Sequence, residues 1–382
     1  MRIVLMGTGP FAVPSFEALR SSGEHEVLLV VTRPIENTGA KTKSVANPVR
    51  AWADEHGLPV TAPLSINESQ AIDQVAQLQP DLLVVCDYGQ ILSANALRAA
   101  KLGGVNLHGS LLPRHRGAAP VQWSILRGDA ITGACVIHMT PKLDGGPILG
   151  KFETTILPSE TAGELERRLS ELGVDCCVES VRKLAQFTSL DECIGLGALQ
   201  DNALATPAPR LAKSDGLLDF RYPAALIERQ FRGLQPWPGV FGNINIGDNK
   251  ELRVIVGHLQ LTANENGSSV KADQPAFVLQ NLEKFTAGEI LWGTALNDLF
   301  AIDLGANPVR KTRTPQMVVA CSDGFVEITR IQPAGKKMQE TRGFLAGYGR
   351  AESMRFEGFS GCPPHPLLEK MQNSARPVVP GP

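Results

Sequence analysis

The sequence predicts an α/β protein in which a doubly wound, mainly parallel sheet is followed by a smaller β-barrel domain. The chain has 382 residues, more than one ordinary hydrophobic core can organise, so two domains are expected. In the first half, β-rich apolar runs alternate with amphipathic segments, as in sheets that carry helices on both faces. In the second half, short strand-like runs follow one another at the spacing of a small antiparallel barrel.

The first domain is expected to span residues 1–188, with strands and helices in alternation. Its final helix begins at a capping box, Thr161-Ala162-Gly163-Glu164, and continues through apolar residues at near-helical spacing as far as Leu184. The other elements are predicted to be strands at Arg2–Met6, Glu26–Thr32, Pro59–Thr61, Asp81–Cys86, Gly104–Leu107, Gly133–Met139 and Ile148–Thr155, and helices near Ala12–Ser21, Pro48–His56, Glu68–Leu78, Ala94–Ala100 and Ala119–Leu126.

The second domain is expected to span residues 210–350, after a linker at 189–209. The linker lacks periodicity and ends in Thr206-Pro207-Ala208-Pro209. The proline-rich end of the chain, residues 351–382, has little periodic hydrophobicity and is predicted to be a disordered tail. Within the second domain we predict a helix at Pro223–Arg232 and strands at Phe241–Ile246, Leu252–Leu261, Ala276–Leu279, Met317–Ala320 and Phe325–Ile331.

Composition argues against a membrane protein and against a disulfide-rich one. No apolar run approaches the roughly 20 residues that a membrane helix needs, and the N-terminus begins as a strand without the regions of a signal peptide. The seven cysteines include no C-x-x-C pair and no histidine at zinc-finger spacing, so neither disulfides nor a structural metal are indicated. We therefore expect a cytoplasmic monomer without a metal.

The net charge of −2 conceals an asymmetry between the two halves. Residues 1–206 come to about −5 and residues 207–350 to about +3. A basic surplus of this size is as compatible with an ordinary solvated surface as with binding of nucleic acid. Charge alone therefore does not decide the partner.

A glycine-rich turn follows the first strand and matches the pattern G-x-G-x-x-A at Gly7 to Ala12. The helix N-terminus there could bind a phosphate, and Arg33 could contact a ribose 2′-phosphate, as in an NADP-dependent enzyme. Against this, Pro10 lacks one of the amides that would bind the pyrophosphate, and any doubly wound sheet needs such a turn. An NADP-binding oxidoreductase is therefore kept as an alternative.

An amide, an imidazole and a carboxylate form the most informative set of polar residues. Asn106 and His108 lie two residues apart, so they share a face of their strand, at the carboxyl end where ligands collect in parallel sheets. Asp144 follows the sixth predicted strand in a glycine-rich loop, where it could orient the imidazole, accept a proton through water, or only stabilise its own turn. Asp87-Tyr88-Gly89 ends the fourth strand and is expected to line the same crevice, whereas His115 is expected to be a surface residue.

No nucleophile completes a hydrolase triad in this sequence. Ser110 lacks the G-x-S-x-G elbow, and none of the cysteines lies in a recognisable catalytic context. Direct transfer of an acyl group, with the oxyanion bound by Asn106 and His108, is therefore favoured over a covalent acyl-enzyme.

These residues resemble the 10-formyltetrahydrofolate-dependent formyltransferases, whose signature is N-x-H with a downstream aspartate and an S-L-L-P segment. The match covers Asn106, His108, Ser110-Leu111-Leu112-Pro113 and Asp144. Three further stretches look like the branch of the family that acts on tRNA, and the similarity runs from Arg2 to about Arg350. These stretches are Arg116-Gly117-Ala118-Ala119-Pro120, Gln235-Pro236-Trp237-Pro238 and Gln332-Pro333-Ala334-Gly335-Lys336-Lys337.

The resemblance implies formylation of the α-amino group of methionyl initiator tRNA, with 10-formyltetrahydrofolate as co-substrate and no metal. The first domain would be Rossmann-like and catalytic, and the second an OB-like barrel that binds tRNA. By similarity, Asn106, His108 and Asp144 are catalytic. The other implied residues are Asp87, Tyr88, Gly89, Ser110, Leu111, Leu112 and Pro113 in the folate site, and Lys41, Lys43, Arg114, Lys336, Lys337 and Arg342 at the tRNA.

The chain departs from the family pattern at two sites. The family commonly has G-R-G-K-K in the loop after the second strand, where this chain has Gly39-Ala40-Lys41-Thr42-Lys43, so a contact to the acceptor stem is lost or taken over by Lys41 or Lys43. Asp87 stands where the family often has alanine and adds a charge beside the crevice. A rival activity in the family is formylation of an amino sugar nucleotide, against which the Ala118-Ala119-Pro120 and Gln332 to Lys337 stretches argue.

Overall fold

The computed structural model describes residues 1–34, 47–193, 195–247, 250–262, 285–292, 317–348, 354–357 and 365–374. The chain divides into two compact units. The first contains Met1–Ser124 and Asp129–Arg210, and the second contains Ile125–Gly128 and Leu211–Gln372. Among the described helices, none is both long enough and apolar enough to span a membrane.

The first unit is built on a seven-stranded sheet with the order β3-β2-β1-β4-β5-β7-β8. Strands β1 to β5 pair in parallel, as the alternation of strands and helices predicts, and the central strands β1 and β4 are almost wholly apolar and buried. The strands are β1 (Arg2–Gly7), β2 (Glu26–Val31), β3 (Val60–Thr61), β4 (Leu82–Cys86), β5 (Gly104–His108), β6 (Arg116–Gly117), β7 (Ile131–His138), β8 (Ile148–Thr155) and β9 (Pro207–Ala208).

Helices connect these strands close to the predicted positions. The fourth is shorter than expected, and the capping box of the sixth is present as predicted, with Thr161 and Glu164 bonded to each other's backbone N–H. The helices are α1 (Val13–Ser21), α2 (Pro48–Glu55), α3 (Ser69–Gln77), α4 (Ala94–Leu97), α5 (Pro120–Arg127), α6 (Ala162–Leu184) and α7 (Leu190–Cys193).

The last two strands of the sheet form an antiparallel hairpin that carries Asp144 in its loop. Strand β7 runs antiparallel to β5, with Val105 opposite His138, so the chain leaves β7 beside the beginning of β5. The loop nevertheless brings Asp144 back to His108, at the other end of β5. Asp144 therefore reaches the carboxyl edge of the parallel strands from a loop that begins at the opposite edge.

The second unit is a nearly closed antiparallel barrel, as the sequence predicts. Its sheet has the order β12-β13-β14-β11-β10-β16, and a bridge between Glu289 and Arg355 links the two ends of this series. The predicted strand Ala276–Leu279 lies outside the described residues. The elements are α8 (Ala224–Gly233), β10 (Val240–Asn245), β11 (Glu251–Leu261), β12 (Ile290–Leu291), β13 (Val318–Ala320), β14 (Phe325–Pro333), β15 (Gln339–Glu340), α9 (Thr341–Tyr348), β16 (Arg355–Phe356) and α10 (Pro366–Ser374).

The prediction of a disordered tail at 351–382 is wrong for the described residues of that segment. Strand β16 pairs with β10, and Met354 and Phe356 are 1% and 2% exposed. In α10, Leu367 is buried and the Lys370 ammonium lies 2.5 Å from the Asp215 carboxylate. The apolar residues of this segment are too few to form a periodic pattern, and the many prolines around them favour a prediction of disorder.

The predicted linker at 189–209 is likewise part of the first unit. Strand β9 pairs in parallel with β6, and Ala198 and Ile148 exchange two backbone hydrogen bonds. Backbone pairing of this kind leaves no signature in side-chain periodicity.

Candidate active site

The structure brings His108 and Asp144 together at the end of β5. His108 is 5% exposed, and its Nδ1 lies 3.7 Å from Oδ2 of Asp144. Its other ring nitrogen, Nε2, lies 2.8 Å from the backbone oxygen of His115. Because a carbonyl oxygen only accepts hydrogen bonds, Nε2 must carry a proton, and Nδ1 is the nitrogen left for chemistry.

Hydrogen bonds hold the loop that carries Asp144. Asp144 has a φ of +47°, in the left-handed region that favours glycine, so its backbone needs support from neighbours. Gln200 Nε2 donates to the backbone oxygens of Asp144 and Gly146, at 2.8 and 2.7 Å, and the N–H of Gly117 donates to Asp144 Oδ2 at 2.8 Å. The carboxylate is thus fixed from the backbone and from the side chain.

Arg116 places a buried positive charge behind this loop. Its guanidinium donates to Gln200 Oε1 at 3.1 and 2.6 Å and to Asn202 Oδ1 at 3.1 Å, and the residue is 5% exposed. Burial lowers the pKa of Arg116, and the negative charge of Asp144 opposes that shift. An arginine stays charged in proteins, so Arg116 keeps a positive charge behind the loop of Asp144.

Asn106 is half-buried on the same face of β5 as His108. Its side-chain amide makes no hydrogen bond with any residue in the described part of the chain. The amide is therefore available to a ligand beside His108.

The Ser110 to Pro113 segment shapes the loop after β5. The Ser110 hydroxyl is buried and donates to the backbone oxygen of Arg114 at 2.8 Å, and Leu112 packs against Cys135 and Ile137. Leu111 and Pro113 remain half-buried. Of the four residues of this segment that are predicted to line the folate site, Ser110 and Leu112 are engaged within the protein, and Leu111 and Pro113 retain accessible surface.

Asp87 extends over the glycine-rich turn. A Cβ added to Gly9 would lie 1.7 Å from Asp87 Oδ2, and the Thr8 N–H donates to the Asp87 backbone oxygen at 3.0 Å. Asp87 retains accessible surface as a residue, but the protein around its carboxyl group desolvates that group, and this desolvation, with a smaller contribution from the charge of Glu166, raises the pKa of Asp87 to about 7. Tyr88 is buried and Gly89 exposed.

A carboxylate at this position argues against the NADP-binding alternative. In a dinucleotide-binding enzyme the pyrophosphate approaches this turn and the helix N-terminus that follows it. Asp87 occupies the space directly over Gly9, and its ionised form would repel a phosphate.

The expectation that His115 is a surface residue is wrong. His115 is 3% exposed, its Nε2 lies 2.6 Å from Asp129 Oδ2, and its backbone N–H donates to Thr206 Oγ1 at 2.9 Å. The segment Arg114-His115-Arg116 is polar, and no local pattern indicates burial. Sequence reasoning also missed Gln200, Asn202 and Thr206, which lie in the segment that had been predicted to be a linker.

The predicted tRNA-binding residues of the second unit are exposed. Lys336 and Lys337 lie in the turn between β14 and β15, and Arg342 lies on α9. Backbone pairing of Ala334 with Arg253 places a further exposed arginine beside this turn.

Of the predicted tRNA-binding residues of the first unit, the structure describes Arg114 alone. Arg114 is half-exposed and its guanidinium lies 2.5 Å from Asp129 Oδ1. Lys41, Lys43 and Ala40 lie outside the described residues.

Comparison with known proteins identifies the family. Residues 1–181 match the formyl transferase domain, and residues 210–349 match the formyl transferase C-terminal domain. The methionyl-tRNA formyltransferase of Rhodopirellula baltica is 43% identical over 353 residues, covering 91% of this chain and 94% of that protein. That of Citrifermentans bemidjiense is 35% identical over 348 residues, covering 91% and 94%.

A solved structure has the same fold at low identity. The N-formyltransferase of Helicobacter canadensis, in complex with folinic acid and dTDP-3-aminofucose, superposes with a TM-score of 0.54 and 14% identity. The superposition covers 87% of this chain and 98% of that one. This likeness shows the fold, and both domain matches with the 43% identity show that this chain belongs to the methionyl-tRNA formyltransferase family.

Proposed function

We propose that this enzyme transfers the formyl group of 10-formyltetrahydrofolate to the α-amino group of methionyl initiator tRNA, in the cytoplasm, in support of translation initiation. The observation that carries the proposal is the pair His108 and Asp144, with the Asn106 amide on the same face of β5 making no hydrogen bond to any described residue. The chain that holds these residues is 43% identical to a methionyl-tRNA formyltransferase. An imidazole, a carboxylate and an amide are suited to stabilise an oxyanion and to move one proton.

The reaction begins with attack of the neutral amine on the formyl carbon. An α-amino group has an ordinary pKa of about 7.7 to 8.0, so a useful fraction is neutral without strong activation. The new C–N bond forms as the carbonyl electron pair moves to oxygen. Because the His115 carbonyl holds one proton on His108 Nε2, the Nδ1 lone pair of the neutral imidazole takes up a second proton, and the Nδ1–H of the resulting imidazolium donates to the oxyanion, with the Asn106 amide as a second donor.

Asp144 balances the charge and accepts the proton of the amine, directly or through a water molecule. Its 3.7 Å separation from His108 Nδ1 is longer than a hydrogen bond, so the Nδ1–H of the imidazolium is not engaged by Asp144 and can donate to the oxyanion. Collapse of the intermediate re-forms the carbonyl and breaks the bond to the folate nitrogen, which takes up the proton that Asp144 accepted from the amine. No covalent enzyme intermediate is needed.

The folate crevice would be lined by the backbone of Asp87 to Gly89 and by the accessible surfaces of Leu111 and Pro113. Both segments follow strands that lie side by side in the sheet, β4 and β5. The backbone is suited to hydrogen-bond a flat heterocycle, and the two apolar side chains supply contact area.

Exposed cations would contact the tRNA phosphates. Lys336, Lys337, Arg342 and Arg253 are exposed in the second unit, and phosphate neutralisation needs accessible positive charge rather than fixed geometry. Lys41 and Lys43 would act at the acceptor end. Arg114 would contribute only its N–H groups that Asp129 does not bind.

The test is an acceptor assay with purified protein and 10-formyltetrahydrofolate. We expect formylation of methionyl initiator tRNA and little formylation of elongator methionyl-tRNA, with N-acetylmethionyl-tRNA, which lacks a free amine, as the negative control. Formylation of a dTDP-linked amino sugar without formylation of tRNA would overturn the proposal.

A further inference from the structure

The backbone carbonyl of His115 is the group that fixes the protonation of His108. It lies 2.8 Å from His108 Nε2. His115 itself has a φ of +60°, in the left-handed region that favours glycine. A non-glycine residue keeps such a conformation only when neighbouring groups hold it there.

Two contacts hold His115 in that conformation. The Thr206 hydroxyl oxygen accepts its backbone N–H at 2.9 Å, and Asp129 Oδ2 lies 2.6 Å from its Nε2. The Nδ1 atom of the His115 ring is buried without a hydrogen-bond partner among the described residues. Asp129 is therefore the sole polar anchor of the ring within the part of the chain that the structure describes.

Asp129 is itself constrained. Its side chain is 16% exposed, and its second oxygen lies 2.5 Å from Arg114. With both oxygens engaged, the carboxylate cannot swing away without breaking an ion pair, so it fixes the position of the His115 ring. A continuous series of contacts thus runs from Asp129 through the ring and carbonyl of His115 to His108 Nε2.

We propose that Asp129 is a positioning residue that acts through His115 to keep the proton of neutral His108 on Nε2. This leaves Nδ1 facing Asp144 and the reacting atoms. Without the anchor, the His115 backbone can leave the left-handed region, and its carbonyl turns away from His108. The neutral imidazole then also populates the form with the proton on Nδ1, which leaves that nitrogen no lone pair to take up the second proton beside the reacting atoms.

The direct measurement is the tautomer of His108, which can be read from ¹⁵N-histidine NMR spectra at alkaline pH, with the His108→Ala variant assigning the signal. We expect the Nε2–H form in the wild type and in Asp129→Asn, whose amide oxygen still accepts from the His115 ring. In Asp129→Ala, and in His115→Phe, we expect a mixture of the two forms. The two variants remove the contact between Asp129 and the His115 ring from either side. If one of them fails to fold, the other still tests the proposal.

A second His–carboxylate pair provides the control. In the same unit, Glu17 Oε2 lies 2.9 Å from His56 Nε2, and the residues of this pair make no contact with His108. Glu17→Gln removes a carboxylate of the same kind, so its His108 signal should match that of the wild type. A wild-type His108 protonated on Nδ1, or an unchanged His108 tautomer in Asp129→Ala, would overturn the proposal.

Turnover provides the functional readout and rests on the proposed formyl transfer. We expect kcat of Asp129→Ala to fall by about 10- to 100-fold, with KM for both substrates close to that of the wild type and partial recovery in Asp129→Asn. The NMR result does not depend on the acceptor, so an error in the proposed substrate and an error in the positioning role are distinguishable.

Discussion

The proposed catalytic residues of the first unit and the proposed tRNA-binding residues of the second unit differ in how they are held. His108 is 5% exposed, and hydrogen bonds hold both it and the loop of Asp144. Lys336, Lys337 and Arg342 are exposed, and their side chains make no hydrogen bond or ion pair with any described residue. The difference follows from the two tasks.

Stabilisation of a transition state requires groups that are already in place when charge develops. Donors aimed in advance at an oxyanion cost no reorganisation at the moment of reaction. Attraction of a polyanion instead acts over several ångströms and tolerates many geometries. Variants of the proposed catalytic residues should therefore reduce turnover. Variants of the exposed lysines and arginines should change tRNA binding and its dependence on salt.

The largest effect is expected at His108 and Asp144, the proposed catalytic pair. His108→Ala removes a proton donor to the oxyanion, and Asp144→Asn removes the negative charge beside it. Each should lower kcat by at least about 100-fold, measured as formylation of methionyl initiator tRNA under saturating conditions. Thermal unfolding followed by circular dichroism should show that both variants fold. His56→Ala serves as the control, and near-normal turnover in either test variant would remove that residue from the catalytic set.

The next effect is expected at Gln200, which supports the loop of Asp144. Gln200→Glu keeps an acceptor for Arg116 but can no longer donate to the backbone oxygens of Asp144 and Gly146. A shift of the carboxylate by a fraction of an ångström should lower kcat by about tenfold, as measured in the same assay.

Asn202→Ala is the matched control for Gln200. It removes a contact to Arg116 and one to Lys142 but none to the backbone of Asp144. If both variants lose the same activity, the buried charge of Arg116, and not the loop of Asp144, is what Gln200 supports.

Local patterns were sufficient for much of the fold. The buried strands β1 and β4 and the capping box of α6 are properties of short stretches, and each appears where it was expected. The strand β16 and the pairing of β9 with β6 depend on contacts between distant backbones. The periodicity of apolar side chains along the sequence carries no information on such contacts.

The residues of the candidate site also fall into two groups, those that local sequence patterns indicate and those that only the tertiary structure shows. Asn106 and His108 were found because two residues on one strand share a face, and that signal is local. Gln200 acts on Asp144 across 56 positions of the sequence. Asp129 acts on a histidine whose neighbours are both arginines. A polar residue looks the same in sequence whether it faces water or supports a catalytic loop, so only the tertiary structure separates the two cases.

A smaller effect on turnover, with a larger effect on salt dependence, is expected at the exposed lysines. Lys336→Ala combined with Lys337→Ala removes two phosphate contacts. The dissociation constant for tRNA should rise, and the slope of log K against log salt should fall by about one to two. Filter binding at several salt concentrations measures both quantities.

Lys151→Ala is the control for the lysine variant, because Lys151 pairs with Glu153 on the sheet of the first unit. Lys151→Ala should leave the slope of log K against log salt unchanged. An unchanged slope in the double variant would place the tRNA surface elsewhere.

The smallest effect is expected at Asp87, and it concerns stability. In the folded protein the pKa of Asp87 is raised to about 7 from an ordinary value of 3.8, first by desolvation and then by the charge of Glu166. The folded state therefore binds the proton more tightly than the unfolded state does. The resulting stabilisation is fully present below the unfolded pKa and is lost as pH rises through the folded pKa.

Asp87→Asn removes this dependence, so the variant should gain stability relative to the wild type between about pH 4 and about pH 8. Asp87 retains accessible surface, so water screens part of the effect, and the gain in melting temperature should be about 2 °C, measured by thermal unfolding at each pH. Glu164→Gln is a control of opposite sign at lower pH. The backbone hydrogen bond from Thr161 lowers the pKa of Glu164 from 4.5, so its stabilisation is lost only as pH falls below that value, and the difference from wild type should stay constant at higher pH. A difference between Asp87→Asn and wild type that stays constant or shrinks with rising pH would show that the ionised carboxylate is not desolvated over Gly9.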